Sequence, residues 1–237
     1  MLGYSVFLPS YSVGENCYKE IPYVTRKFGT RAVVIGGKTA MSKAKPELEA
    51  AIKDSDVEIL DYIWYGGDSS YENVEMLKNN PLVTGADMLF GVGGGRACDT
   101  VKTLADMLDK PFFTFPTLAS NCAACTAITV MYNPDGSFKE YYYMHGPSYH
   151  TFINTKIIAD SPEKLLWAGI GDALSKECEV LYASRDKFMY HTPLMGQCIA
   201  KICTTPLIEY GAKALEACRS NCLLYTSPSP RDPKTSR

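Results

Sequence analysis

The segment Gly91-Val-Gly-Gly-Gly-Arg-Ala-Cys-Asp99 carries the chemistry most plainly written in this chain. Glycines 91, 93, 94 and 95 follow an apolar run that begins at Met88, and residues Ala97 to Met107 have helical spacing. A strand, a glycine turn and a helix are therefore expected in succession. Without a Cβ in the way, a diphosphate can approach the backbone closely, and the unpaired N–H groups of a helix start attract its charge. Arg96 adds a permanent cation at the same place. The spacing departs from the dinucleotide fingerprint, whose third glycine would fall at Arg96, and from the P-loop. On the residues alone, a turn that merely lets a strand and a helix pack closely stays open.

Two other turns accompany it. The apolar run from Arg31 to Ile35 ends in Gly36-Gly37, and Pro116-Thr117-Leu118-Ala119-Ser120 follows the glycine segment. The pattern predicts strands over Tyr4–Leu8, Arg31–Ile35, Val57–Trp64 and from Ala86, with helices over Glu15–Phe28, Lys43–Ser55 and from a Ser70 cap to Asn79. Strands separated by single helices make βαβ units and a parallel sheet, whose ligands bind beyond the carboxyl ends of the strands. All three turns fall on that rim.

Ala127–Met131 and Phe138–Tyr143, joined by Asn133-Pro134-Asp135-Gly136, predict a hairpin. Phe152–Asp160 is expected to return to the sheet. Ser161-Pro162-Glu163 then opens a run of helices, including Asp172–Ala183 and, capped by Thr192, Pro193–Tyr210. The fold class expected is α/β: a parallel-sheet, Rossmann-like cofactor domain over residues 1–160, then an incomplete all-helical domain over 161–221. The stretch from Thr226 to Arg237 has no apolar face and three prolines, so a disordered, non-native tail is expected over residues 222–237.

A net charge of −2 gives no attraction to nucleic acid or to an anionic membrane, and no apolar run reaches the roughly 20 residues a bilayer requires. Localisation therefore defaults to the cytoplasm. Nine scattered cysteines fit reduced, mostly buried thiols.

The glycine segment, with Asp99, Lys102 and Pro116–Ser120, resembles the iron- or zinc-containing, metal-dependent alcohol dehydrogenase family, and within it the glycerol dehydrogenase branch. The likeness runs from about Tyr11 to Asn221. It implies a dehydroquinate synthase-like fold and NAD or NADP as cofactor. By the same resemblance Gly93, Gly94, Gly95, Arg96 and Asp99 line the diphosphate, Thr117 and Ser120 bond the cofactor, and Thr126, Ile128 and Tyr132 flank its nicotinamide half. Gly37 stands where NAD-preferring relatives carry a carboxylate for the ribose. Nothing there repels a 2′-phosphate and Lys38 offers a cation, so NADP is expected to be tolerated.

Asp172 aligns with the family's carboxylate ligand for a divalent metal, zinc or iron; taken alone, an aspartate at a helix start is more often a cap. The family's two histidine ligands have no counterpart among His145, His150 and His191 and are expected beyond Asn221. The chain thus resembles a C-terminally truncated member, expected to be inactive by itself; the complete protein is expected to be a homo-oligomer. Cys122 replaces the aspartate of the relatives' substrate loop, so the substrate is an alcohol or polyol for which glycerol is a poor candidate. Cys122 and Cys125 form a C-x-x-C pair without a second pair or a thioredoxin-like tryptophan, which disfavours a redox or zinc role. Two rivals stay open: a dehydroquinate synthase-like lyase or glycerol-1-phosphate dehydrogenase, and a non-enzymatic nucleotide-binding module.

Overall fold

The computed structural model describes residues 6–219, and the chain divides after Ser161 into two compact units. In chain order the first holds β1 (Tyr11–Val13), α1 (Ile21–Thr25), β2 (Arg31–Gly36), α2 (Lys38–Ile52), β3 (Glu58–Trp64), α3 (Tyr71–Lys78) and α4 (Pro81–Gly85). It continues with β4 (Met88–Gly93), α5 (Gly95–Met107), β5 (Phe112–Pro116), β6 (Ile128–Tyr132), β7 (Phe138–Tyr143), β8 (His150–Ile153) and α6 (Thr155–Ala159). The second unit holds α7 (Glu163–Ser184) and α8 (His191–Arg219).

Six strands form one parallel sheet in the order β1-β8-β5-β4-β2-β3, and β6 pairs antiparallel with β7 in a separate hairpin. Alternate residues of β2 explain why both faces are covered. Ala32 and Val34 join a core with Met41 and Leu48 of α2, while Val33 and Ile35 join another with Val74 and Leu77 of α3 and Val101 and Leu104 of α5. A parallel sheet buried on both sides needs such unbroken apolar runs. The α/β class and the hairpin are as the sequence predicts.

Several boundaries differ. The single helix over Glu15–Phe28 is instead a 3-10 turn at Cys17–Glu20 followed by α1, because Pro22 has no N–H to continue a helix and occupies the first turn of a new one. Helix α2 starts at Lys38 rather than Lys43, its buried stripe being Met41, Ala44, Leu48 and Ile52. Residues 6–8 form no strand; the edge strand is β1, tied to β8 by His150, whose Nδ1 and Nε2 lie 2.7 and 2.9 Å from the Ser10 and Ser12 hydroxyls. Strand β8 ends at Ile153 rather than Asp160, since the Asn154 side chain accepts from the Lys156 and Ile157 N–H groups and starts α6.

In the second unit α7 runs unbroken through Asp172, so that aspartate is no helix cap, and the N-cap position of α7 is Pro162 rather than Ser161. Helix α8 already includes His191 and Thr192, so Thr192 does not cap it. The pairs Glu163 with Arg219, Ile170 with Gly211 and Glu177 with Thr204 show α7 and α8 to be antiparallel. The tail expected after Asn221 lies outside the described residues.

Asp87, just before β4, fastens the start of β2: its Oδ2 accepts from the Thr30 and Arg31 N–H groups at 3.0 and 2.8 Å. The Arg31 N–H bond above all holds its carboxyl below the usual carboxylate range. A depressed folded value means stability present above the unfolded carboxylate pKa and lost as pH falls through the folded one. Because solvent screens this carboxylate, Asp87→Asn is expected to cost no more than about 1 kcal/mol at pH 7. Urea titrations across pH should show that deficit shrinking below about pH 4; a deficit independent of pH would refute the assignment.

Candidate nucleotide site at the carboxyl rim of the sheet

Strand order reverses between β2 and β4, because the chain leaves β2 for β3 on one side and returns to place β4 on the other. Such a switch point leaves a crevice beyond the carboxyl ends of the two strands. Gly37 caps α2 on one side of it and Gly94 caps α5 on the other, and neither has a side chain to satisfy the first N–H groups of its helix. Two helix starts, each with the positive end of its dipole, thus open on one crevice.

The glycines have separate reasons. At Gly36, on the buried side, a Cβ would stand 2.1 Å from the Val92 carbonyl oxygen of the neighbouring strand. Gly93 has φ +149°, a backbone conformation L side chains rarely adopt, and a Cβ there would lie 2.9 Å from that of Ala97. The third turn closes the same rim, since the Thr117 N–H donates to the Gly93 carbonyl at 3.2 Å.

Around this crevice the candidate side chains divide. Arg96 is exposed at the start of α5; its Nη1 lies 3.2 Å from Asp68 Oδ2 and its guanidinium 4.8 Å from the Tyr132 ring centre. Lys38 stands exposed beside Gly37, with its ammonium 5.2 Å from the centre of the Trp64 ring. Ser120 accepts from the Asn121 amide at 3.2 Å, and that amide nitrogen would stand 2.9 Å from a Cβ added at Gly95. Cys122 is exposed on the loop that follows.

Asp99 requires a correction. Expected at the diphosphate, it is instead buried behind the turn, with Oδ1 2.9 Å from the Lys102 ammonium and Oδ2 accepting from the Val130 N–H at 3.2 Å. Burial pushes its carboxyl up, against the downward pull of Lys102. Lys102, fully buried, also donates to the carbonyls of Ala123 and Ile128, each at 2.7 Å, and to the Thr126 carbonyl and hydroxyl at 3.2 and 3.1 Å. Thr126 and Ile128 are thus gathered by one ammonium on α5. From the sheet side Thr114, Ser148 and Thr151 all donate to the Ala124 carbonyl, at 2.8, 3.3 and 3.2 Å. The loop between β5 and β6 is fixed from both flanks.

The model of the iron-containing alcohol dehydrogenase family matches residues 9–150, well over half of the chain. The chain belongs to the iron-containing alcohol dehydrogenase family. Among this family's members, the glycerol dehydrogenase of Escherichia coli O6:H1 is 30% identical over 213 residues, covering 87% of this chain and 57% of the relative. That of Thermotoga maritima is 34% identical over 155 residues, 63% of this chain and 42% of the relative. The crystal structure of the Schizosaccharomyces pombe glycerol dehydrogenase superposes with a TM-score of 0.81 at 24% identity, over 93% of this chain and 57% of that one, and so shares its fold. The chain spans between 42% and 57% of the length of these relatives.

Asp172 lies inside α7, its Oδ1 3.2 Å from the Lys176 ammonium one turn on. Among the described residues no group of three or more His, Cys, Asp or Glu side chains is placed to hold a metal ion. One carboxylate already paired with an ammonium does not fit a divalent ion. Cys125 lies in the 3-10 turn at Ala123–Cys125, donates to the Thr151 hydroxyl at 3.7 Å, and has its thiol pushed up by burial. That is a packing role rather than a reactive one. No described helix is long and apolar enough to cross a membrane.

Asp68 escaped sequence reasoning, and so did the part that Lys102 plays. Asp68 follows Gly66-Gly67 at the end of β3 just as Lys38 follows Gly36-Gly37 at the end of β2, and that parallel was the available signal. Lys102 is legible as a motif member and Asp99 lies at helical spacing from it, but its other three partner residues, Ala123, Thr126 and Ile128, lie 21 to 26 positions away, beyond the reach of spacing.

Proposed function

We propose that the rim between β2 and β4 binds NAD or NADP, and that the chain is the cofactor-holding part of an alcohol or polyol oxidoreductase of the glycerol dehydrogenase type. The observation that carries it is the pair of glycine-capped helix starts, at Gly37 and Gly94, opening on a single crevice at the switch point. A nicotinamide held at this rim would supply the acceptor for hydride from an alcohol carbon. The amides of residues 94 and 95, with Arg96, take the diphosphate; Thr117 and Ser120 border it, and Thr126, Ile128, Tyr132 and Cys122 lie toward the reacting end. The described residues do not fit the zinc or iron of a whole dehydrogenase, so no step runs through it; Asp172 is proposed as one ligand of that metal in a longer chain.

Titration with NADH, followed by melting temperature and by amide exchange over residues 91–99, tests the reading. A rise in melting temperature with slowed exchange is expected. Saturating NADH and NADPH that alter neither would overturn it.

Gly37 carries no carboxylate and Lys38 is exposed beside it, so NADPH is expected to bind within about ten-fold of NADH. Lys38→Glu should weaken NADPH about five-fold or more and leave NADH nearly unchanged. Equal losses for both cofactors would remove Lys38 from the 2′-phosphate.

A further inference from the structure

Arg96 is the cation best placed for a diphosphate at the start of α5, yet it already has an anion. Its Nη1 lies 3.2 Å from Asp68 Oδ2, and its guanidinium rests over the Tyr132 ring. The two partners are unequally free. The Arg96 side chain is 53% exposed and long, whereas Asp68 is 26% exposed and held by its surroundings. Asp68 Oδ1 accepts from the Ser69 N–H at 2.8 Å, and its backbone carbonyl accepts from the Asn73 amide at 2.8 Å and the Thr100 hydroxyl at 3.4 Å. The next residue, Ser69, accepts at its carbonyl from the Tyr132 N–H at 2.8 Å. A fixed carboxylate therefore stands beside the crevice whose amides attract anions.

We propose that Asp68 is a positioning residue for nucleotide binding: its carboxylate occupies the Arg96 guanidinium in the free protein, and the diphosphate must take Arg96 from it. Asp68 thereby opposes binding twice, by competing for the guanidinium and by repelling the incoming charge. It also keeps Arg96 folded over Tyr132, beside the crevice. This inference rests on the nucleotide reading of the rim and assigns a regulating role to a residue outside the glycine segment.

The test uses the full chain and its Asp68→Asn variant, in which the Ser69 N–H and both backbone bonds can persist. NADH, ADP and adenosine are titrated in low salt and in about 0.5 M salt. Asp68→Asn is expected to bind NADH and ADP about five-fold tighter in low salt, with the gain falling below about two-fold in high salt and adenosine unaffected. In an Arg96→Gln background the gain should fall to less than about half, because only the direct repulsion then remains; a gain undiminished there would show that Asp68 does not act through the guanidinium and would overturn the proposal. A purely structural role for Asp68 would move the melting temperature and all three ligands together. Wild-type binding of NADH with no gain in the variant overturns the proposal alone. Weaker binding of NADH and adenosine alike would make Asp68 a ribose ligand and overturn it too. Failure of the wild type to bind NADH at either salt removes the nucleotide reading and this inference with it.

Discussion

Lys102→Met is expected to lower the unfolding free energy by about 3–5 kcal/mol, the range found when one partner of a buried ion pair is removed. Methionine fills much of the space of the lysine stem, so little of the loss is a cavity. The loss comes from Asp99, left buried without its cation, and from the carbonyls of Ala123, Thr126 and Ile128, left without their donor. Urea unfolding measures it, and a deficit under about 1 kcal/mol would show that the ammonium is replaceable. Asp99→Asn in the same chain removes the uncompensated charge and should recover part of the stability. pH gives an independent reading. Because burial raises the folded Asp99 pKa above its unfolded value, ionising it takes stability away as pH rises through the folded value. Without Lys102 that value rises further, so the deficit should be larger at pH 8 than at pH 4. Amide exchange over residues 121–130 should quicken in step, since the α5 flank of that loop is then no longer held, while Thr114, Ser148 and Thr151 still hold the Ala124 carbonyl from the sheet side.

Gly93→Ala is expected to weaken NADH at least about ten-fold while leaving a folded protein. At φ +149° an alanine is strained by about 1–3 kcal/mol, and its Cβ would press on Ala97 at 2.9 Å. The segment relieves the strain by rotating. That rotation re-aims the amides of residues 94 and 95, which serve the diphosphate only in their present direction. Calorimetric titration with NADH and with adenosine separates the effects: the loss should appear for NADH and ADP and be small for adenosine. Unchanged NADH affinity in a folded variant would place the diphosphate elsewhere.

The layered α/β plan was legible because it rests on local pattern. Apolar runs at Arg31–Ile35 and Met88–Val92, each ending in glycine, announce buried parallel strands, and Asn133-Pro134-Asp135-Gly136 announces its hairpin. Boundaries failed where a single residue overruled the run, as Pro22 did in splitting the first helix and Asn154 in ending β8. The reading of Asp172 as a helix start failed differently: Gly169 and Gly171 before it weaken a helix without ending it, and with no proline in residues 163–184 α7 continues through them.

What the sequence by itself determined is the rim: which turns carry glycine, that they follow strands, and hence that an anion can approach backbone amides there. Tertiary structure alone decided which charges stay free to meet that anion. Asp99 is claimed by Lys102 and Arg96 by Asp68, three and 28 positions away along the chain. Side-chain type fixes the charge a residue brings. Only packing fixes its distance from every other charge, and at these separations Coulomb's law makes that distance the deciding quantity.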